Sequence, residues 1–223
     1  MRCLTPELLD MLAPDDPRAL ASRRDLALIN ILMRQRGLMT AALRKLPPPR
    51  RLADLGSGDG RFLLSLARRL APHWPMVEVT VVDRQPSMAA ATRESLRALG
   101  WRCQIVAGDV FDVLQELDAD IFTANLFLHH FTDEALARLM ALAARNTRAL
   151  VACEPRRGLS ALAAARLLFL LGCNDVTRHD AVASVRAGFS DRELSRLWPD
   201  PGNWHLCEYR GLPFSHVFTA RHV

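Results

Sequence analysis

The sequence of 223 residues predicts an α/β fold: a seven-stranded sheet with helices on both faces, an antiparallel C-terminal hairpin and an N-terminal helical cap. Three observations lead there. Strand-like and helix-like segments alternate from Arg51 to Leu171, the pattern of a parallel sheet whose strands need helical crossovers. Glycines crowd the loop after the first strand. Two strand-like runs near the C-terminus are joined only by Gly211-Leu212-Pro213, too short a link for a parallel return.

Residues 1–46 read as helical. Thr5-Pro6-Glu7 suits a helix start, and Asp16-Pro17 starts a second helix through Ile29, Ile31 and Leu32. Pro47-Pro48-Pro49 stops the cap and opens the sheet domain, residues 50–223. Strands are expected at Arg51–Leu55, Val77–Val82, Trp101–Ala107, Asp120–Asn125 and Arg148–Cys153, then Trp204–Arg210 and Phe214–Arg221. Helices are expected at Asp59–Leu70, Ser87–Leu99, Asp133–Ala144 with Thr132 as N-cap, Leu159–Leu171 and Asp191–Leu197.

Composition narrows the class. Half of the residues are hydrophobic and 24% are charged, ordinary for a globular enzyme-sized chain. The net charge of +5 is almost wholly arginine, since Lys45 is the only lysine. The arginines are scattered among acids, so no nucleic-acid partner is expected. Cys3, Cys103, Cys153, Cys173 and Cys207 show no C-x-x-C pair and no histidine at ligand spacing. Free thiols in a cytoplasmic protein fit this usage, and no metal ligand set is expected. No stretch is long and apolar enough for a transmembrane segment, and no secretory signal is expected.

The most informative run is Asp54-Leu55-Gly56-Ser57-Gly58-Asp59-Gly60. Alternate glycines after a strand let backbone turn sharply and approach a ligand. The spacing is G-x-G-x-G rather than the G-x-G-x-x-G of dinucleotide sites. Asp83 ends the next strand, where a carboxylate can accept both hydroxyls of a ribose. Gly108-Asp109-Val110 follows the third strand, where a carboxylate can meet an exocyclic amine. All lie at the carboxyl ends of strands, the ligand edge of open α/β sheets.

In these motifs the chain resembles the class I S-adenosylmethionine-dependent methyltransferases, whose sheet is Rossmann-like. Ala124-Asn125-Leu126-Phe127-Leu128-His129-His130-Phe131 is similar to the segment after the fourth strand in the ubiquinone/menaquinone-biosynthesis type, which acts on small molecules. Val176–Phe189 resembles bacterial methyltransferases of secondary metabolism. The resemblance implies S-adenosylmethionine as cofactor and S-adenosylhomocysteine as product. It implies cofactor contacts from Asp54, Gly56, Ser57, Gly58 and Gly60, then Asp83 and Arg84, Gly108, Asp109 and Val110, and Asn125 and Leu126. The acceptor it implies is a small aromatic or lipophilic molecule, methylated on oxygen in a phenolic, quinone or polyketide-like metabolite.

On the acceptor side, a histidine near its working pH suits removal of a phenol proton. Adjacent side chains generally diverge, so one of His129 and His130 is expected to face the acceptor. His130 is the catalytic candidate and His129 a substrate contact; alternatively His130 packs beneath the cofactor. His179, beside Arg178 and Asp180, is a second candidate base or a solvent-facing histidine. Arg186 either holds an acceptor oxygen or caps a helix. Glu154, Arg156 and Arg157 read as a surface ion-pair cluster, with a substrate role as alternative. Leu167, Leu168, Phe169 and Leu170 either pack in the core or line a lipophilic pocket. The cap, with Arg24, Asn30 and Met33, reads as a lid, to be tested by deleting residues 1–46. Other readings are C-methylation of a similar ring, RNA, DNA or protein methylation, a non-catalytic cofactor-binding protein and a nicotinamide dehydrogenase. Against base methylation, Asn125-Leu126-Phe127-Leu128 lacks the proline pair and aromatic that grip a flipped base. The sequence sets neither the acceptor nor the oligomeric state.

Overall fold

A computed structural model describes residues 1–13 and 15–223, apart from the Asp10 side chain. Seven strands form one sheet: β1 (Arg51–Leu55), β2 (Val77–Asp83), β3 (Trp101–Ala107), β4 (Ile121–Asn125), β5 (Ala149–Pro155), β6 (Trp204–Gly211) and β7 (Ser215–His222). Their order is β3-β2-β1-β4-β5-β7-β6. β1 to β5 pair in parallel, and β7 inserts antiparallel between β5 and β6. The chain steps outward from β1 in one direction, then restarts at β4 on its other side. That reversal opens a crevice at the carboxyl ends of β1 and β4. Register keeps the rim level: Leu55 lies beside Val82 and Ala124, Val82 beside Val106, and Asn125 beside Cys153.

Helices cover both faces. α1 (Leu8–Met11), α2 (Pro17–Leu32) and α3 (Gln35–Leu43) precede the sheet. α4 (Arg61–Leu70) buries Leu63, Leu64, Leu66, Ala67 and Leu70, the spacing of one helical face. α5 (Ala90–Ala98), α6 (Val110–Val113), α7 (Asp133–Asn146), α8 (Leu159–Arg166), α9 (Asp175–Ala187) and α10 (Glu193–Leu197) come after β2. Thr132 caps α7 through the amide of Ala135, as expected. One core lies around Phe122, Leu139, Phe189 and Phe218, the other around Leu43, Leu66, Val81 and Trp101.

Several sequence expectations change. The apolar run from Leu159 ends as a helix at Arg166 and turns into a 3-10 segment, Leu168–Leu171. Core packing holds only for Leu168, because Leu167, Phe169 and Leu170 are 51%, 52% and 68% exposed. The stretch around His179, unassigned from sequence, is the thirteen-residue helix α9, capped by the Asn174 side chain on the Thr177 amide. Its alternation of small and polar residues hides any apolar stripe. Nor is Glu154 a surface group, since its side chain is fully buried beneath the β4 turn. Finally, α3 belongs to the body: Met39 and Leu43 are fully buried in the second core. Deleting residues 1–46 would therefore expose that core.

Candidate active site at the carboxyl rim

Gly56, Gly58 and Gly60 adopt left-handed backbone, with φ of 70°, 56° and 70°. At Gly56 an added Cβ would sit 2.2 Å from the Phe127 ring, so the loop admits no side chain there. At Gly58 no atom lies within 4 Å of that position, and its amide donates to Asp83 Oδ2 at 2.8 Å. Asp83 Oδ1 accepts from the Gln85 amide at 2.8 Å. The carboxylate thus ties the glycine loop to the end of β2 while staying partly exposed.

Asp54 is buried at the end of β1 and accepts from Thr123 Oγ1 at 2.6 Å across the β1–β4 crevice. Burial pushes its carboxyl up to about 6; the neighbouring Ser57 and Thr123 hydroxyls oppose the rise, and the charge of Asp83 adds to it. Among the described residues no cation pairs with it. A buried acid held in this way favours an ammonium ligand. Asp109 caps α6 through the Phe111 amide at 2.9 Å and pairs with Arg84 at 3.2 Å. The Gly108 amide bonds the Asp83 carbonyl at 3.0 Å, joining the β2 and β3 ends. Asp54, the glycines, Asp83, Arg84, Gly108, Asp109 and Val110 therefore line one rim.

The β4 turn completes it. Asn125 Nδ2 donates to Asn30 Oδ1 of α2 at 3.0 Å, and Asn125 Oδ1 is buried without a partner. Leu126 has a φ of 53°, strained for a branched side chain. Its amide donates to the Cys153 carbonyl at 3.0 Å. Glu154 fixes the next three residues, accepting from the amides of Phe127 (3.0 Å), Leu128 (2.9 Å) and His129 (3.4 Å). Phe127 and Phe131 meet edge-on at 5.1 Å, and Phe131 and Phe111 at 5.5 Å, an aromatic wall from the glycine loop to α6.

Both histidines of the turn reach one carboxylate, Glu7. His129 Nε2 lies 3.4 Å from Glu7 Oε1, and His130 Nε2 lies 3.3 Å from Oε2. The two rings come together at 4.2 Å over the Leu128–His130 turn, although their residues are neighbours in sequence. His129 is buried and its Nδ1 bonds Glu154 Oε2 at 2.7 Å; His130 is 29% exposed and its Nδ1 bonds the Phe127 carbonyl at 2.9 Å. Burial alone would raise the Glu7 carboxyl, but the two histidine rings that face it hold it well below the usual carboxylate range. Ser184 of α9 also donates to Glu7 Oε1.

The segment carrying Glu7 is pinned by two further residues. Arg2 is 4% exposed; it donates to the carbonyls of Ala187, His129 and Phe131, pairs with Asp133 at 2.7 Å and covers the Phe189 ring. Asp180 of α9 accepts from the amides of Leu8 and Leu9 at 2.7 and 3.0 Å. His179 bonds Asp180 at 2.9 Å and remains 44% exposed, while Arg186 is exposed at the end of α9. Sequence reasoning passed over Arg2 and read Glu7 only as part of a helix start. Nothing in local spacing marks residues that meet their partners more than a hundred positions away.

Residues 52–149 match the model of a methyltransferase domain. No curated protein matches the chain. Among solved structures, the chain is similar to an O-methyltransferase family protein from Burkholderia thailandensis, with TM-score 0.59, 20% identity and coverage of 93% of this chain and 60% of that one. A mitomycin 7-O-methyltransferase gives TM-score 0.62, 22% identity and coverage of 96% and 60%. Magnesium protoporphyrin IX methyltransferase from Synechocystis PCC 6803, solved with S-adenosylhomocysteine, gives TM-score 0.56, 17% identity and coverage of 86% and 83%. The chain thus spans about 60% of the length of the first two. Sheet order, C-terminal hairpin and helical cap are those of the class I methyltransferase fold. No helix among the described residues is long and apolar enough to cross a membrane.

Proposed function

We propose that this chain, which carries a methyltransferase domain on the class I fold, transfers a methyl group from S-adenosylmethionine to a small aromatic or lipophilic acceptor. The favoured target is an oxygen of a phenolic, quinone or polyketide-like metabolite. The observation that carries the reading is the rim itself: a left-handed glycine loop with Asp54, Asp83 and Asp109 on three consecutive strand ends. The fit is supported by the unpartnered Asn125 Oδ1 and by the cation-poor burial of Asp54. O-methyltransferases among the structural neighbours support oxygen as the target.

Bound S-adenosylmethionine supplies a methyl already activated on a sulfonium. Asp54 holds the ammonium, with the Asn125–Leu126 backbone beside it. Asp83 takes the ribose hydroxyls, and Asp109 with the Val110 amide takes adenine, Arg84 flanking them. Gly56, Ser57, Gly58, Gly60 and Gly108 let the backbone close on the cofactor. The chain then aligns donor and acceptor and excludes water, which contributes on the order of 7–11 kcal/mol. On the acceptor side, His130 is the more exposed of the turn histidines and the first candidate to meet a hydroxyl, with His129 and Glu7 behind it. His179 of α9 is the second candidate base, and Arg186 at the end of the same helix is an acceptor contact. The cap, held by Arg2 and Asp180, is the lid. We place the protein in the cytoplasm, which its five free cysteines support.

Incubation with methyl-labelled S-adenosylmethionine and a panel of phenols and hydroxyquinones tests the reading. Acceptor-dependent formation of S-adenosylhomocysteine, abolished by Asp83→Ala, is the expected result. Tight cofactor binding with no turnover on any small acceptor would leave a binding protein instead.

A further inference from the structure

We propose that Glu7, His129 and His130 form a binding site for one divalent transition-metal ion, of the kind zinc takes. The three side chains bring their ligand atoms within 4.8 Å of one another. Hydrogen-bond direction makes the case. Glu154 and the Phe127 carbonyl are both acceptors, so the Nδ1 of His129 and of His130 must each carry the proton they donate. A neutral imidazole so held turns a lone pair outward at Nε2, and both Nε2 atoms point at the Glu7 carboxylate, itself an acceptor.

His129 Nε2 is buried with no hydrogen-bond partner, on a side chain 3% exposed. A buried polar atom aimed at another lone pair needs something positive between them. Protonating both rings would put two cations 4.2 Å apart, whereas one ion meets all three ligands. The spacing suits that ion. Zinc bonds of about 2.0–2.1 Å put ligand atoms about 3.3–3.4 Å apart; His129 Nε2 lies 3.4 Å from Glu7 Oε1 and His130 Nε2 lies 3.3 Å from Oε2, so the carboxylate would meet the ion through both oxygens. Each ligand also has its outer partner: Glu154 for His129, the Phe127 carbonyl for His130 and Ser184 for Glu7. Such an ion would clasp the N-terminal segment to the β4 turn. Chain spacing hides the set, because Glu7 arrives from the cap.

The test is zinc titration of the full chain, freed of metal by chelator, followed by calorimetry, with cobalt as a spectroscopic substitute. The expected result is one ion per chain, visible cobalt bands of a four-coordinate site and a Kd at least about tenfold weaker in Glu7→Gln and in His130→Gln. Circular dichroism of the metal-free variants confirms that each has folded, and the partly exposed His130 provides the gentler change. Absence of stoichiometric binding, or binding untouched by both variants, overturns the proposal. So does binding lost on Cys3→Ser or His205→Ala, which places the ion on exposed surface groups. S-adenosylhomocysteine binding measured on the same samples keeps the outcome separate from the methyltransferase reading.

Discussion

The two halves of the rim are built in opposite ways. On the cofactor side, each acid follows its own strand, and the glycine loop bonds the neighbouring strand end within about one βαβ unit. On the acceptor side, the β4 turn is assembled from Arg2, Glu7, Glu154, Asp180 and Ser184, drawn from the cap, β5 and α9. Parallel strand ends put contiguous motifs side by side without further help. The β4 turn is instead closed by long-range polar contacts, each with many possible partners in sequence.

The largest expected effect falls on the cofactor half. If Asp83 takes the ribose hydroxyls as proposed, Asp83→Ala removes two charge-assisted hydrogen bonds, worth about 1.5–3 kcal/mol each. Calorimetry with S-adenosylhomocysteine should show affinity reduced by about 100-fold or more, with the β4 turn intact. Equal loss from Glu7→Gln would erase the distinction between the halves. Next comes Glu154→Ala, which strands three amide donors and the His129 ring inside the protein. Denaturant unfolding should show a loss of about 3–5 kcal/mol. A loss under about 1 kcal/mol would mean that the turn holds its shape without this carboxylate.

Arg2→Ala should cost less, about 1–3 kcal/mol, because the cation–π contact and ion pair sit at the protein's edge. Hydrogen exchange should accelerate in residues 1–12, and acceptor kcat/KM should fall while cofactor affinity holds. Unchanged exchange would show that the cap is docked by other contacts.

The smallest effect is a pH dependence at Asp54. Its folded pKa of about 6 lies above its ordinary value of 3.8. Between those values the folded chain holds a proton that the unfolded chain has released. Stability from this group is therefore full below pH 3.8 and lost as pH rises through about 6. An ammonium ligand needs the ionised form. Cofactor affinity should weaken as pH falls through about 6, approaching tenfold per unit below it, and Asp54→Asn should flatten the profile.

Legibility tracks the same divide. Strand alternation, the glycine loop and the acids at 54, 83 and 109 were readable because each is local and periodic. The hairpin was readable from the shortness of its link. Glu154 was misread as a surface group because a charged residue at a strand end usually is one; its burial depends on the three amides folded over it. α9 was missed since its buried face, Val176, Thr177, Asp180, Ala183 and Ala187, keeps helical spacing but carries two polar residues and a single large apolar one. Divergent histidines were expected from the general rule for neighbours; the two rings are instead brought together on Glu7, a residue of the cap more than a hundred positions away.

The central claim is that three carboxylates and a bare glycine loop grip an adenosyl ligand at this rim. Calorimetry with S-adenosylhomocysteine on the folded protein tests it most directly. One molecule bound per chain, with binding lost in Asp83→Ala and kept in Arg2→Ala, is the expected result; no heat of binding to the folded wild type would contradict it.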